Sequence, residues 1–251
     1  MLQLKKVAAG YNGVDVIHDI SFETNPGENL CLIGPNGCGK TTLLKAIGGL
    51  IDYSGSILVD HKEVKHYKRN VLAKKIAFLS QISSVYFSFT VFETVMLGRY
   101  VQMPRGILQS YSKADVDVVN ECIKNVGLEK VRNRQITALS GGQLQRVFLA
   151  RTMAQDPDII LLDEPTNHLD LKHQVELVGY LKEWTKKHNK TTIGVFHDIN
   201  LALRLGDRFT VLKDGRVVMD GDSTSMKPEI LEEVFGLNVK DYMIETLSMW
   251  I

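Results

Sequence analysis

The sequence predicts a mixed α/β fold in which a mostly parallel sheet carries helices on both faces. Three observations lead to this prediction. A short, continuously apolar run at 30–33 feeds directly into a glycine-rich loop and a helical stretch. In the second half of the chain, short apolar runs alternate with helical periodicity, as they do in parallel sheets joined by helices. The first stretch of the chain differs, because its β-branched and aromatic residues favour an antiparallel β subdomain.

The first eighty residues justify the strand-rich opening. Turn residues at 10–13 and at 25–28 separate the first apolar stretches, so the segments between them read as strands. The predicted strands are 2–8, 14–24, 30–33, 53–59 (as an edge strand) and 76–79, and the predicted helix is 40–48.

The middle of the chain has a different sequence pattern, in which stretches with helical periodicity are joined by polar loops. Helices are predicted at 91–97, 114–126, 144–154, 171–187 and 228–235, strands at 159–162, 191–196 and 209–212, and a hairpin arm at 213–219. We expect one domain over 1–251, with a core lobe of 1–81 and 158–251 and a helical subdomain of about 82–157. The tail 222–251 has no predicted role.

The composition excludes several classes of protein. With 44% hydrophobic residues, the 251-residue chain can bury a core, which argues against disorder and fibrous architecture. A formal net charge of +1 supplies no basic field, so no nucleic-acid partner is expected. The chain lacks an apolar run of the roughly 20 residues that span a bilayer. Its three irregularly spaced cysteines fit neither a disulfide framework nor a zinc site.

Residues 34–41 form the clearest motif. They read Gly-Pro-Asn-Gly-Cys-Gly-Lys-Thr and match G-x-x-x-x-G-K-[ST] between a strand and a helix. Glycines let backbone amides turn inward around an anion, and the following helix points its positive end at the same place. We therefore expect a phosphate-binding loop, in which Lys40 reaches the β- and γ-phosphates and the Thr41 hydroxyl ligates Mg²⁺. Cys38 is interpreted as filling a small-residue position.

Two carboxylates follow the apolar run at 159–162. Asp163 and Glu164 would stand at the carboxyl end of a parallel strand, where ligands of such sheets bind. Asp163 is predicted to hold Mg²⁺, and Glu164 to polarise the water that attacks the γ-phosphate. Taken alone, the pair could also be solvated acids at a strand end.

A second anion-binding device lies at 139–143, with the sequence Leu-Ser-Gly-Gly-Gln. Ser140 is a good helix N-cap, and the two glycines clear the start of the helix. A capped helix with no ligand is the alternative interpretation. Two separate phosphate-binding devices in one chain suggest that each completes the site of another copy.

In this order, the motifs resemble those of the ATP-binding subunits of ABC transporters, over nearly the whole chain. The resemblance implies a Walker A motif at 34–42, a Q-loop glutamine at Gln81, the signature at 139–143 and a Walker B motif that ends at Glu164. It further implies a D-loop at 167–170 and a switch histidine at His197. It implies catalytic roles for Lys40, Gln81, Glu164 and His197, and Mg²⁺ contacts by Thr41, Gln81 and Asp163. The implied nucleotide-binding residues are Tyr11, Gly34, Pro35, Asn36, Gly37, Cys38, Gly39, Lys40, Thr41, Thr42, Ser140, Gly141, Gly142 and Gln143.

The same resemblance implies how the chain works. Mg²⁺ and ATP would be bound by a head-to-tail homodimer, in which Ser140 and Gly142 of one subunit contact the γ-phosphate held by the other. Membrane-spanning permease subunits would be separate chains, assisted indirectly by a substrate-binding protein. The expected location is the cytoplasmic face of the membrane, reached through the permease.

The segment after Gln81 bears on the substrate. Residues 90–99 read T-V-F-E-T-V-M-L-G-R, which is similar to a segment of ATPases that serve iron-siderophore, haem and cobalamin importers. Phe87, Phe89 and Phe92 either line a groove for a permease helix or pack the helical subdomain. Alternatives are an ABC subunit for a different substrate, in either direction, and a soluble ABC ATPase of translation or DNA repair. A P-loop metabolite kinase would leave 139–143 without a purpose.

Overall fold

A computed structural model describes residues 1–80, 88–103, 111–167 and 169–250. Within them, strands form a six-stranded sheet of order β10-β9-β3-β8-β7-β6 and a four-stranded sheet of order β2-β1-β4-β5. The strands are β1 Leu2–Tyr11, β2 Val14–Thr24, β3 Asn29–Ile33, β4 Tyr53–Val59, β5 Lys62–Glu63, β6 Ile76–Leu79, β7 Ile159–Asp163, β8 Thr191–Val195, β9 Arg208–Lys213 and β10 Arg216–Gly221.

Helices cover both faces of the larger sheet and fill the connection between β6 and β7. They are α1 Lys40–Ile47, α2 Arg69–Lys75, α3 Val91–Met96, α4 Lys113–Asn125, α5 Gly141–Ala154, α6 Leu171–His188, α7 Ile199–Leu205, α8 Pro228–Phe235 and α9 Val239–Ser248. Short 3₁₀ turns occupy Val64–His66, Leu97–Gln102, Glu129–Val131 and Ile136–Ala138. In the described part of the chain, no helix is long and apolar enough to cross a membrane.

The larger sheet is parallel except at one edge. β3 pairs in parallel with β8 and β9, and β7 with β6 and β8, whereas β10 runs antiparallel to β9. Every residue of β3, β7 and β8 is buried, which explains why 30–33 and 159–162 are continuously apolar in sequence. The predicted α/β class, with its additional antiparallel sheet, is confirmed.

Alternate side chains of the central strands enter two cores. Leu30 and Leu161 pack with α1 and the smaller sheet, whereas Cys31 and Ile160 face the opposite core, which contains the buried sides of α5 and α6. Because successive side chains of a strand point to opposite faces of the sheet, each central strand contributes to both cores. Because α1 lies between the sheets, its first residue is held at the edge where β3 ends.

Helices α3, α4 and α5 pack against one another between β6 and β7 in the chain. They correspond to the helices predicted at 91–97, 114–126 and 144–154. The exact division into 1–81, 82–157 and 158–251 stays a prediction, and residues 81–87 lie outside the described residues.

Two details of the sheets differ from the sequence analysis. β4 was expected at an edge, but the two-residue β5 pairs along its outer side. β1 runs on to Tyr11, so the first turn narrows to Asn12 and Gly13, which both have positive φ. The longer strand carries Tyr11 to the end of the hairpin.

Candidate active site

The loop between β3 and α1 is shaped by glycines that no other residue could replace without movement. Gly34 has φ +151°, and a Cβ there would lie 2.2 Å from the carbonyl oxygen of Leu212. At Gly39, with φ +100°, a Cβ would lie 2.4 Å from Ile17 Cγ2. The loop can therefore pass this close to its neighbours only because both positions lack a side chain.

Lys40 begins α1 and folds its side chain back over this loop. Its Nζ donates hydrogen bonds to the carbonyl oxygens of Gly34, at 2.7 Å, and Pro35, at 2.8 Å. The side chain is 6% exposed, so the ammonium group lies within the fold and is solvated by the loop itself. Burial raises the pKa of the neighbouring Cys38 thiol, although Lys40 opposes this effect. Cys38 is thus a neutral, buried group that packs with the core.

Thr41 and Asp163 meet across the edge of the sheet. The Thr41 Oγ1 hydroxyl donates to Asp163 Oδ1 over 2.9 Å. Asp163 is the last residue of β7, and parallel pairing through β8 brings its strand end level with that of β3. Desolvation by burial raises the pKa of the Asp163 carboxyl, and the neighbouring Glu164 carboxylate raises it further, whereas Thr41 and the nearby lysines lower it.

Glu164 is held on both sides of its carboxylate. Its Oε1 is hydrogen-bonded to His197 Nε2, and its Oε2 accepts from Asn167 Nδ2. The backbone of Glu164 has φ +55°, a left-handed conformation that is unusual for a residue with a Cβ. His197 follows β8 and is 42% exposed at the side chain, so it presents one face to the open side of the site.

Lys40, Thr41, Glu164 and His197 line one cleft of about 280 Å³. Tyr11, at the end of the β1–β2 hairpin, stands at its mouth and is 43% exposed, with the Lys45 ammonium 5.7 Å from its ring centroid. The residues that line the cleft are Tyr11, Val16, Asn36, Gly37, Gly39, Lys40, Thr41, Thr42, Glu164 and His197. The structure thus brings together predicted residues from four separate parts of the chain.

The turn at 140–143 lies elsewhere. Ser140 Oγ accepts from the Gln143 backbone N at 3.3 Å, and Gln143 Oε1 accepts from the Ser140 N at 3.1 Å, which together form a capping box at the start of α5. Ser140 and Gly141 are exposed, and none of the described residues lining the cleft comes from this turn. Within one chain, the turn at 140–143 and the glycine-rich loop at 34–39 are therefore separate.

Comparisons with known proteins identify the family of the chain. A family model described as ABC transporter matches residues 17–167, which is more than half of the sequence. The chain belongs to the ABC transporter family. The resemblance inferred from the motifs is therefore confirmed, and the cleft is that of an ABC cassette.

Individual proteins and solved structures similar to this chain agree with this family assignment. The achromobactin transport ATP-binding protein CbrD of Dickeya dadantii is 35% identical over 94% of this chain and 88% of its own. The petrobactin import ATP-binding protein YclP of Bacillus subtilis is 36% identical over 95% of this chain and 94% of its own. A dimeric structure of the cassette MJ0796, bound to ADP and Pi, is 32% identical with a TM-score of 0.78, over 88% of this chain and 98% of that one.

Of the predicted Q-loop and D-loop residues, the structure describes only some. Gln81, predicted as the Q-loop glutamine, and His168 of the D-loop lie outside the described residues. Asp170 caps α6 by accepting from the His173 backbone N at 3.0 Å. The structure therefore neither adds to nor subtracts from the role predicted for Gln81.

The aromatic residues of the substrate-related segment divide in a similar way. Phe92 packs against the core of the helical region, and the Arg132 guanidinium lies 3.8 Å from its ring centroid. Phe89 is 41% exposed, and Phe87 lies outside the described residues. Core packing thus accounts for Phe92, while Phe89 is placed where a partner could reach it.

Sequence reasoning did not single out every contributor to this cassette. Val16 lines the cleft without any polar signal in the sequence, and Lys45 approaches the Tyr11 ring from the last turn of α1. Asn167 was placed only in the D-loop, although its amide fixes one oxygen of Glu164. Contacts of this kind follow from three-dimensional proximity rather than from motif spacing.

Proposed function

We propose that the chain is the ATP-hydrolysing subunit that powers the import of a metal chelate, of the iron-siderophore, haem or cobalamin type, through a separate permease. The observation that carries the catalytic part is the convergence of Lys40, Thr41, Glu164 and His197 on one cleft. The substrate class is supported by relatives named for achromobactin transport and petrobactin import, which align over nearly the whole chain. The T-V-F-E-T-V-M-L-G-R segment at 90–99 supports the same class.

Phosphate binding follows from the loop. The start of α1 and the Lys40 ammonium both favour negative charge, so the β- and γ-phosphates of ATP would lie against them. Tyr11 stands where its ring can stack on the adenine. Phosphates would replace the Gly34 and Pro35 carbonyls as partners of Lys40.

The oxygen atoms of Thr41 and Asp163 fit Mg²⁺. A hydroxyl and a carboxylate 2.9 Å apart are hard donors, as this cation prefers. In the described ranges, no group of three or more His, Cys, Asp or Glu side chains could hold a metal ion, which suits a cation that takes few protein ligands. When bound, Mg²⁺ would neutralise phosphate charge. Gln81 is proposed as a further contact.

Glu164 is proposed as the general base for water. Asn167 and His197 orient its two oxygens, so the carboxylate needs little rearrangement to accept a proton. The exposed His197 imidazole is proposed to contact the γ-phosphate. Two groups held in fixed geometry lower the entropic cost of reaching the transition state.

A second copy would complete the site. Ser140 and Gly141 of the capped turn are exposed, and no residue of this turn is among those that line the cleft of its own chain, so the turn can face another one. In a head-to-tail homodimer, Ser140 and Gly142 would contact the γ-phosphate bound to the partner. The related MJ0796 cassette forms a dimer, which supports this arrangement.

The permease, a substrate-binding protein and the location follow as further proposals. The cassette would dock on permease subunits at the cytoplasmic face of the membrane, and the permease would receive the chelate from the binding protein. The helical region of about 82–157 would lie between the nucleotide and the permease. Relatives named as import proteins support this direction of transport.

A transport assay with co-purification tests the proposal. The gene would be deleted in its host and replaced by tagged wild-type chain or by Glu164→Gln, and uptake of radioactive ferric siderophore would be measured. We expect the wild type alone to restore uptake, and a polytopic permease to be recovered with the tagged chain from gently solubilised membranes. Normal uptake in the deleted strain, with only soluble partners recovered, would reject the transport role and leave the ATPase chemistry standing.

A further inference from the structure

One buried amide links α5, which begins with the turn at Ser140–Gln143 (the signature turn), to the loop that carries the proposed catalytic carboxylate of Glu164. Gln145 lies on α5, five residues after Ser140, and is 5% exposed. Its Nε2 donates a hydrogen bond of 3.3 Å to the carbonyl oxygen of Pro165. Pro165 is itself buried and directly follows Glu164.

The next carbonyl of the same loop is held from another helix. Gln174 on α6 donates its Nε2 to the carbonyl oxygen of Thr166, also at 3.3 Å. Two glutamine amides from two helices therefore fix consecutive carbonyls after Glu164. Because Glu164 has φ +55°, its conformation persists only while surrounding contacts hold it.

We propose that Gln145 is a positioning residue that couples the two ATP sites of the homodimer. Its helix presents Ser140 and Gly142 to the nucleotide of the partner, and its amide reaches the loop that aims Glu164 at the nucleotide of its own chain. The inference rests on the proposed head-to-tail dimer. The proposal gives Gln145, but not the nearby Gln174, the role of coupling the turn at 140–143 to the loop after Glu164.

The packing of α5 makes such a link effective. The capping box fixes the first turn of the helix, and Val147, Leu149 and Ala150 bury its next turn in the core. A displacement of the signature turn by a bound phosphate would therefore carry Gln145 with it. Since Pro165 is buried and has a fixed φ, its carbonyl transmits this displacement to the backbone of Glu164.

Coupling of this kind is reciprocal. If nucleotide at one site improves the geometry of the other, the second must improve the first by the same free energy. ATP hydrolysis should then depend on ATP concentration with a Hill coefficient above 1, up to the two sites present. Loss of the Gln145 bond should reduce this coefficient.

The test compares Gln145→Met with Gln174→Met in the full-length chain. Methionine keeps the approximate volume of glutamine but donates no hydrogen bond, so each variant frees one carbonyl with little change in packing. We expect both to lower kcat, by about tenfold, because Glu164 is less well oriented. Only Gln145→Met should bring the Hill coefficient towards 1, since the hydrogen bond of Gln174 reaches the loop from α6 and not from α5.

Thr152→Val serves as a fold control on the same helix. Thr152 is also buried, at 3% exposed, and bonds within α5 to the Phe148 carbonyl oxygen at 2.8 Å. It should match Gln145→Met in any change of melting temperature while keeping the wild-type Hill coefficient. Should Gln145→Met fail to fold, Gln145→Asn provides the same test, because its amide is too short to reach Pro165.

Two results would overturn the coupling role: a wild-type Hill coefficient of 1, or an unchanged coefficient in Gln145→Met. Failure of the dimer proposal has a different signature. In that case, Glu164→Gln with an unaltered Gln145 would stay monomeric in saturating ATP, as measured by light scattering. A dimer that forms normally, with no loss of cooperativity in Gln145→Met, rejects only the role of Gln145.

Discussion

Thr41 donates a hydrogen bond of 2.9 Å to Asp163 although 122 residues separate them in the chain. The contact joins the first helix turn after the glycine loop to the last residue of a central strand. It places two hard oxygen donors side by side while the surrounding burial raises the pKa of the carboxyl. The Glu164 carboxylate raises this pKa further, whereas Thr41, Lys45 and Lys40 lower it, so the surrounding groups act on the carboxyl in both directions.

Asp163→Asn should stabilise the nucleotide-free protein while it destroys turnover. Because the folded pKa of Asp163 is raised, its charged form costs stability as pH rises through its titration range, and the cost persists at neutral pH. Removing the charge should raise Tm at pH 7 by roughly 1–3 °C. The gain should vanish near pH 3, where the wild-type carboxyl is protonated. Calorimetry against pH measures this, with Thr41→Ser as a control that keeps the hydroxyl; a lower Tm at pH 7 would contradict it.

Glu164→Gln should separate nucleotide binding from hydrolysis. The amide keeps the volume of the side chain but accepts a proton poorly, so kcat should fall by about 10²–10⁴ while ATP affinity changes little. The ATP-bound dimer should accumulate, which light scattering can detect. Glu176→Gln is the matched control, because Glu176 is an exposed carboxylate on α6, 56% exposed at its side chain. Unchanged phosphate release in Glu164→Gln would remove Glu164 from the role of base.

Lys40→Ala should lose ATP affinity. The ammonium group is buried against the loop, and charge-assisted hydrogen bonds of this kind contribute enough that Kd should rise about 10- to 100-fold. Lys45→Ala provides the comparison, since Lys45 faces the Tyr11 ring, and its loss should weaken binding only a few-fold. Titration with a fluorescent ATP analogue measures both. Equal affinities for Lys40→Ala and wild type would mean that the loop does not hold the phosphates.

Burial explains why some strands could be predicted from the sequence and why two of the helices could not. Strands β3 and β7 are wholly buried, so the apolar runs at 30–33 and 159–162 marked them. Helix α2 was missed because none of its residues is buried, which leaves no apolar stripe to detect. Helix α9 was missed for a related reason, since Val239 is its one fully buried residue. Such short, exposed helices are decided by tertiary contacts rather than by periodicity.

In the candidate site, too, some features could be predicted from the sequence and others could not. Motif spacing located Lys40, Asp163 and Glu164, because their chemistry requires those residue types beside a strand or loop. The contact between Glu164 and His197 could not be derived from spacing, since it depends on β7 and β8 being neighbours. The sequence near Lys40 also does not predict that its side chain folds back to donate a hydrogen bond to the Gly34 carbonyl oxygen.

Two glycines of the loop should respond differently to alanine. Both Gly37 and Gly39 have positive φ, so alanine costs each about 1–2 kcal/mol. At Gly37 an added Cβ meets no atom within 4 Å, whereas at Gly39 it would lie 2.4 Å from Ile17. Urea unfolding should therefore show Gly39→Ala to be the less stable variant, by about 1–3 kcal/mol of overpacking. Equal free energies of unfolding would indicate that the hairpin at Ile17 moves aside.

The helical region contains a carboxylate whose pH dependence has the opposite sign to that of Asp163. Asp115 accepts from Ser112 Oγ at 2.7 Å in the capping box of α4 and from Arg99 Nε at 2.8 Å. These bonds, that of Ser112 first, lower its pKa to about 2. Since the folded value lies below the unfolded one, the stabilisation is complete at neutral pH and is lost as pH falls from about 4 to about 2.

Asp115→Asn should therefore lower the free energy of unfolding by roughly 1 kcal/mol at pH 7. The difference from wild type should shrink as the pH approaches 3, because the wild-type carboxyl is then protonated in the unfolded chain. Urea unfolding at several pH values measures this, with Asp117→Asn as an exposed control on the same helix. A difference in the free energy of unfolding that stays constant from pH 7 to pH 3 would contradict this prediction. It would show that the geometry of the hydrogen bonds, and not the charge of Asp115, makes this residue stabilising, including in its contact with Arg99.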